Sequence, residues 1–321
     1  MEIIRVDHLS KIFELKSGLF FSREKMTKKA VDDISFSINQ GEIVGYIGPN
    51  GAGKSTTIKM LTGILEPSSG EILVSNRNPF AEREKNAMQI GVLFGQRTQL
   101  WWDLPLMDTL NLHKHMYRMT DKDYEERLRT LSDMLDLYEF KNIPIRQLSL
   151  GQRMRCELAV TLLHGPSILY LDEPTIGMDV IVKERIRNYL FEINKQFKVT
   201  ILLTTHDLLD VEKICNRIIV INHGKLLFDG TIEKLKQEFV PDSTVTLKFS
   251  GELSEKLKKQ LNNYKEIENG YVTFTINRNK NGFSIFSELC KINSIIDLKI
   301  SEPPIEEIIK KLYDVKEEIS L

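Results

Sequence analysis

Gly48-Pro49-Asn50-Gly51-Ala52-Gly53-Lys54-Ser55 sets glycines, a lysine and a hydroxyl in the spacing G-x-x-x-x-G-K-[ST]. That spacing suits the binding of a polyphosphate. Glycines let backbone N–H groups come close to phosphate oxygens, and a helix opening at Lys54 would point its positive end at the same charge. Lys54 is placed to reach the β- and γ-phosphates of a nucleoside triphosphate, and Ser55 to ligate magnesium. More than a hundred residues on, Ile168-Leu169-Tyr170-Leu171-Asp172 reads as a buried strand ending in a carboxylate. Glu173 follows at once and Pro174 stops the strand. Asp172 suits a metal ligand, and Glu173 a base that positions or activates water.

Short strands alternating with helices must hold these residues. Glu42 to Ile47 reads as a strand that enters the glycine-rich turn, and Lys54 to Leu65 has helical spacing. Ile90 to Leu93, Ser167 to Leu171, Thr200 to Thr204 and Arg217 to Ile221 are short, apolar and rich in β-branched residues. The pattern predicts an α/β fold around a mostly parallel sheet. Ile3 to Val6 and Ala30 to Ile38 add half-buried strands. Met107 to Tyr117, Asp123 to Leu137 and Gly151 to Leu163 look helical with no strand between them, so a helical subdomain is expected over about 97–160.

Phe239-Val240-Pro241-Asp242-Ser243 is the expected domain boundary, dividing the chain into 1–239 and 240–321. Beyond it, Thr244 to Phe249 alternates as a strand and Leu253 to Leu261 reads as a helix. Asn269-Gly270 marks a hairpin. Phe283 to Ile292, Ile295 to Ile300 and Pro304 to Tyr313 read as helix, strand and helix. The sum is a small α+β accessory or regulatory domain.

Bulk properties exclude several classes. Of 321 residues 41% are hydrophobic, enough for a sizeable core. Lys and Arg number 44 against 45 Asp and Glu, so no nucleic-acid footprint is expected. The longest apolar runs are far shorter than a membrane span, and the first residues lack the pattern of a secretory signal. Cys156, Cys215 and Cys290 are far apart and form no Cys-x-x-Cys, which argues against a disulfide framework or zinc site. A soluble protein of a reducing compartment is the expectation.

Leu148-Ser149-Leu150-Gly151-Gln152 resembles the signature motif of ABC ATPases, with Leu150 where a glycine is usual. The other elements of that family follow in order over roughly residues 1 to 238. Phe13 matches the aromatic that stacks on adenine, Gln96 the Q-loop glutamine, and Gly177-Met178-Asp179 the D-loop. His206 in Leu203-Thr204-Thr205-His206-Asp207 resembles the switch histidine. The resemblance implies a P-loop NTPase fold of the ABC ATPase kind, with ATP and Mg²⁺ as cofactors. It places Phe13, Gly48, Asn50, Gly51, Gly53, Lys54, Ser55, Thr56, Ser149, Gly151, Gln152 and Asp179 against nucleotide. Ser55, Gln96 and Asp172 would serve the metal, and Glu173, His206 and Gln96 hydrolysis.

With one phosphate loop in the chain, the resemblance implies a head-to-tail pair with a second copy or a homologous subunit, Ser149 and Gly151 acting in trans. The stretches Gly95 to Pro105 and Arg146 to Met154 resemble ATPase subunits of ABC-2-type exporters, of a subgroup labelled viologen or multidrug exporters. An integral-membrane permease is the implied partner and the cytoplasmic face of the membrane the implied location. ABC-fold ATPases that act on ribosomes or DNA usually carry two ATPase halves or long coiled coils, and this sequence shows neither. Trp101 and Trp102, the two tryptophans of the chain, fall where the permease's coupling helix would dock, the alternative being that the rings pack inside the helical subdomain. Glu14 to Lys29 reads as a solvated basic loop between two strands, with contact to anionic lipid headgroups or to the permease as the alternative.

Overall fold

The computed structural model describes residues 1–17, 24–94, 98–205, 207–239, 242–249, 262–267, 271–277 and 295–320. Gln96, His206 and the helices expected over 253–261 and 283–292 lie outside the described residues. Two compact units divide between Gly230 and Thr231.

Strands β1 (Glu2–Ser17), β2 (Glu24–Asn39) and β4 (Ser69–Val74) form an antiparallel sheet in the order β2-β1-β4. The hairpin corrects one expectation. Of the segment read as a loop over 14–29, residues 14–17 and 24–29 belong to paired strands, from Phe13↔Lys28 out to Ser17↔Glu24.

A second, six-stranded sheet carries the site. Its members are β3 (Ile43–Ile47), β5 (Ile90–Phe94), β6 (Ile168–Asp172), β7 (Thr200–Thr204), β8 (Arg217–Asn222) and β9 (Lys225–Thr231), in the order β5-β6-β7-β3-β8-β9. The strands from β5 through β8 pair parallel. Every residue of β3 and β7 is buried, as continuous apolar runs covered on both faces require. Helix α1 (Lys54–Leu61) sends Ile58, Met60 and Leu61 into one cluster with Ile4 and Val6 of β1, Ile34 and Phe36 of β2, and Tyr46 and Tyr170 of the parallel sheet. That burial fixes the helix whose first turn meets the phosphates.

Short helix α2 (Arg83–Ala87) precedes β5, and the helical insert contains α3 (Leu106–Met116), α4 (Asp121–Met134) and α5 (Leu150–Leu162). Thr120 caps α4 by accepting from the Asp123 N–H at 3.1 Å. Helix α6 (Val180–Phe197) precedes β7, and α7 (Leu208–Ile214) follows it. Among the described residues, no helix is long and apolar enough to cross a membrane.

The second unit holds α8 (Ile232–Phe239), strands β10 (Asp242–Phe249), β11 (Asn262–Ile267), β12 (Tyr271–Asn277) and β13 (Ile295–Ser301), and α9 (Ile305–Ser320). The sheet runs β11-β12-β10-β13, all antiparallel, and β11 and β12 are the arms expected around Asn269-Gly270. Val245, Leu247, Phe274, Ile308 and Leu312 are buried. The division falls upstream of the expected boundary at Phe239, because α8 belongs to this unit. Helix α8 packs on α9, its Ile232 and Leu235 are buried, and Lys236 lies 3.2 Å from Glu302.

Candidate functional site

The phosphate loop runs from the end of β3 into α1. Gly53 sits at φ +108, a conformation that side chains rarely adopt, and a β-carbon there would lie 2.4 Å from the Ala30 carbonyl. Lys54 is 7% exposed, and its Nζ donates to the carbonyls of Gly48 at 2.7 Å and Pro49 at 3.2 Å. Burial lowers its pKa, while Glu173 first and Asp172 second pull it back up. A cation held in this way can turn from backbone carbonyls to a polyanion without crossing bulk water.

Ser55 and Asp172, 117 residues apart in sequence, meet at 3.0 Å, the hydroxyl donating to Oδ2. Thr204, at the end of β7, donates to the other carboxylate oxygen of Asp172. The parallel register does this, since Asp172 on β6 pairs with Thr204 on β7. Glu173 takes φ +58, outside the usual range for its type, and its N–H donates to the Thr204 carbonyl at 2.9 Å. Such outliers cost on the order of 1–3 kcal/mol and gather at functional sites.

These residues line one open cleft of about 590 Å³. Asn50, Gly51, Gly53, Lys54, Ser55 and Thr56 form its floor, with Asp172 and Glu173 on one side and Phe13 and Lys28 on the other. Half-buried Phe13 stands opposite Lys28 in the β1–β2 hairpin, and Lys11 Nζ lies 5.4 Å from its ring. The sequence does not place Lys28 or Thr204 in the nucleotide site. Each is a register partner of a residue that it does place there, and only strand pairing reveals them. The hard oxygen pair of Ser55 and Asp172 suits a divalent cation shared with phosphate, as Mg²⁺ prefers, rather than a cage built from protein alone.

The signature residues do not line this cleft. Ser149 caps α5: its Oγ accepts from the Gln152 N–H at 3.2 Å, and Gln152 Oε1 accepts from the Ser149 N–H at 2.9 Å. Gly151 lies in the first turn, where a β-carbon would come 2.9 Å from Val182 Cγ1. Leu150 is 40% exposed beside Gly177. Asp179 caps α6, accepting from the Val182 N–H at 2.9 Å. Signature and D-loop thus share one surface that also exposes Ile176, Val180 and Ile181.

Behind Glu173 lies a brace that the sequence did not signal. Asp210, 1% exposed, takes Thr175 Oγ1 and Arg187 Nη1, each at 2.5 Å. Lys183 pairs with Asp207, so α6 holds the start of α7 at two points.

The pattern that describes the family "ABC transporter" matches residues 31–176. The chain is 32% identical over 215 residues to ABC transporter ATP-binding protein NatA of Bacillus subtilis, covering 67% of this chain and 87% of that protein. It is 34% identical over 226 residues to the probable multidrug ABC transporter ATP-binding protein YbhF of Escherichia coli, covering 68% of this chain and 38% of that one. The structure is similar to the dimeric structure of MJ0796, a bacterial ABC transporter cassette, with a TM-score of 0.61, 25% identity and coverage of 71% of this chain and 98% of the other.

Proposed function

We propose that this chain, which belongs to the ATP-binding proteins of ABC transporters and is an ATPase, drives an exporter of the ABC-2 type by closing on ATP as a head-to-tail pair. The observation that carries this reading is the convergence of Lys54, Ser55, Asp172 and Glu173 on one cleft, with Ser149 and Gly151 on a separate exposed surface. A signature that is built and capped but lies away from its own phosphate loop is suited to act on a partner's nucleotide. That a similar cassette, MJ0796, is dimeric favours pairing of two copies.

In the pair, Phe13 stacks on the base and Lys54 meets the β- and γ-phosphates. Ser55 and Asp172, with Gln96, would hold Mg²⁺, which would supply positive charge to the phosphates. Glu173 accepts the proton of the attacking water, and Gln96 and His206 sense the γ-phosphate. Ser149, Gly151 and the N-terminus of α5 address the γ-phosphate from the other copy, with Gln152 and Asp179 beside them. Closure and release then shift a bound permease between states. Export is favoured by the signature variant Leu148-Ser149-Leu150-Gly151-Gln152-Arg153-Met154 and by the multidrug name of YbhF. Trp101 and Trp102, both about half exposed, would meet the permease at the cytoplasmic face of the membrane.

Purification of the tagged chain from detergent-solubilised membranes tests the assignment. A copurifying permease of the ABC-2 type, and ATP-dependent efflux lost with Lys54→Ala, are expected. Recovery with ribosomes or DNA and no membrane protein would contradict it.

A further inference from the structure

Glu157 lies midway along α5, the helix whose first turn is the signature, and it is 8% exposed. A carboxylate in such a place is costly unless donors surround it. Here the donors come from one short segment just before the tryptophans. Thr98 Oγ1 donates to Glu157 Oε1, and the Gln99 N–H reaches the two carboxylate oxygens at 3.2 and 3.4 Å. The Leu100 N–H donates to Thr98 Oγ1 at 3.0 Å, and Leu100 is buried. The Gln99 side chain bonds the Val92 carbonyl at 2.9 Å and Thr161 Oγ1 at 3.3 Å. Thr161 is one turn beyond Glu157 and donates to its carbonyl at 2.7 Å.

The same helix grips the segment again further along. The Arg153 guanidinium lies 5.0 Å from the Trp102 ring, while Arg146, just ahead of α5, pairs with Asp103 at 3.1 Å and donates its N–H to the Trp102 carbonyl. Trp101 and Trp102 are 51% and 49% exposed, so the clamp holds their backbone while leaving the rings outside.

We propose that Glu157 is a positioning residue that fastens the Thr98–Asp103 segment to the signature helix, so that the Trp101–Trp102 platform follows α5 when nucleotide binds. Charge-assisted bonds to a buried carboxylate are stronger than neutral ones and tolerate little lateral slip. A shift of α5 is thereby delivered to the exposed rings through the Thr98–Asp103 segment, which the Gln99 side chain also ties to Val92 of β5. The further statement that the platform serves a permease rests on the function proposed above; the clamp itself belongs to the single chain.

The two tryptophans are the only ones in the sequence, so intrinsic emission reads the platform in the isolated protein. ATP binding is measured in parallel by equilibrium dialysis. In the wild type, Mg-ATP is expected to change Trp emission or its quenching by acrylamide. Glu157→Leu and Thr98→Val should bind ATP within about threefold of wild type yet show less than half of that change, and Glu157→Gln should restore most of it. If Glu157→Leu fails to fold by circular dichroism, Thr98→Val, which deletes one hydroxyl, decides the matter. A wild-type response in both Glu157→Leu and Thr98→Val, or bound ATP with unresponsive tryptophans in the wild type, would overturn the clamp alone. A wild type that binds no ATP would overturn the ATPase reading with it.

Discussion

Lys54 and Leu150 sit at opposite ends of the chemistry and make opposite predictions. Lys54 is already desolvated and held by two carbonyls, so substituting it removes a preorganised cation rather than a mobile surface charge. Hydrogen bonds to charged groups contribute about 1.5–3 kcal/mol each. Lys54→Ala should therefore weaken ATP binding by at least tenfold in equilibrium dialysis, with the fold intact by circular dichroism. Leu150, 40% exposed beside Gly177, is not among the residues that line the phosphate cleft. Leu150→Gly should leave steady-state hydrolysis within a few-fold, and a gain above tenfold, about 1.4 kcal/mol of barrier, would show instead that leucine slows closure. Lys54, Ser55, Asp172 and Glu173 were legible in the sequence because each lies in a contiguous motif with a chemical reason for its spacing. Thr204 and Glu157 were not, since their partners lie 32 and 59 positions away and only the register of the sheet and the packing of α5 bring them together.

At the scale of elements, His164 ties three pieces together. It follows α5, bonds the Ile90 carbonyl of β5 at 3.0 Å and stacks on Tyr117 after α3 at 3.9 Å and 6°. Burial pushes its pKa down to about 4, with the Ile90 carbonyl acting in the other direction. In the unfolded chain the ring takes a proton near pH 6.5, so between that pH and about 4 the unfolded state binds more protons. The stability that depends on the neutral ring is complete above pH 6.5 and is lost progressively as pH falls from there to about 4. Urea unfolding at pH 7.5 and pH 5 should show an acid loss of about 1–2 kcal/mol beyond that of His164→Gln; equal losses would remove His164 from the account. Strands β3, β5, β6, β7 and β8 were readable as apolar runs because a parallel sheet is covered on both faces. The outer half of the β1–β2 hairpin was not. Lys16, Lys25, Lys28 and Lys29 read as solvated loop, but strand pairing needs only backbone groups and places no apolar demand on the sequence.

For the whole molecule, the two units divide at Gly230, and the helix after it contributes Ile232 and Leu235 to the second core. The position of the cut therefore matters. Truncation after Gly230 should leave a soluble protein that binds ATP like the full chain. Truncation after Phe239 keeps an amphipathic helix without its partner α9 and should aggregate more readily in light scattering. Loss of ATP binding in the shorter form would make the second unit part of the ATPase. The sequence placed this boundary at the proline-bearing stretch because proline and polar residues mark turns. It could not show that α8 buries its apolar face against a helix some seventy residues away.

In the function proposed above, ATP closes two chains around nucleotide and Glu173 reopens them by activating water. Glu173→Gln keeps the shape of the side chain but cannot accept the proton. In size-exclusion chromatography with light scattering, this variant should run as one chain with Mg-ADP and as two chains with Mg-ATP, with steady turnover abolished. A variant that stays single in Mg-ATP, or hydrolyses it at the wild-type rate, would contradict the account.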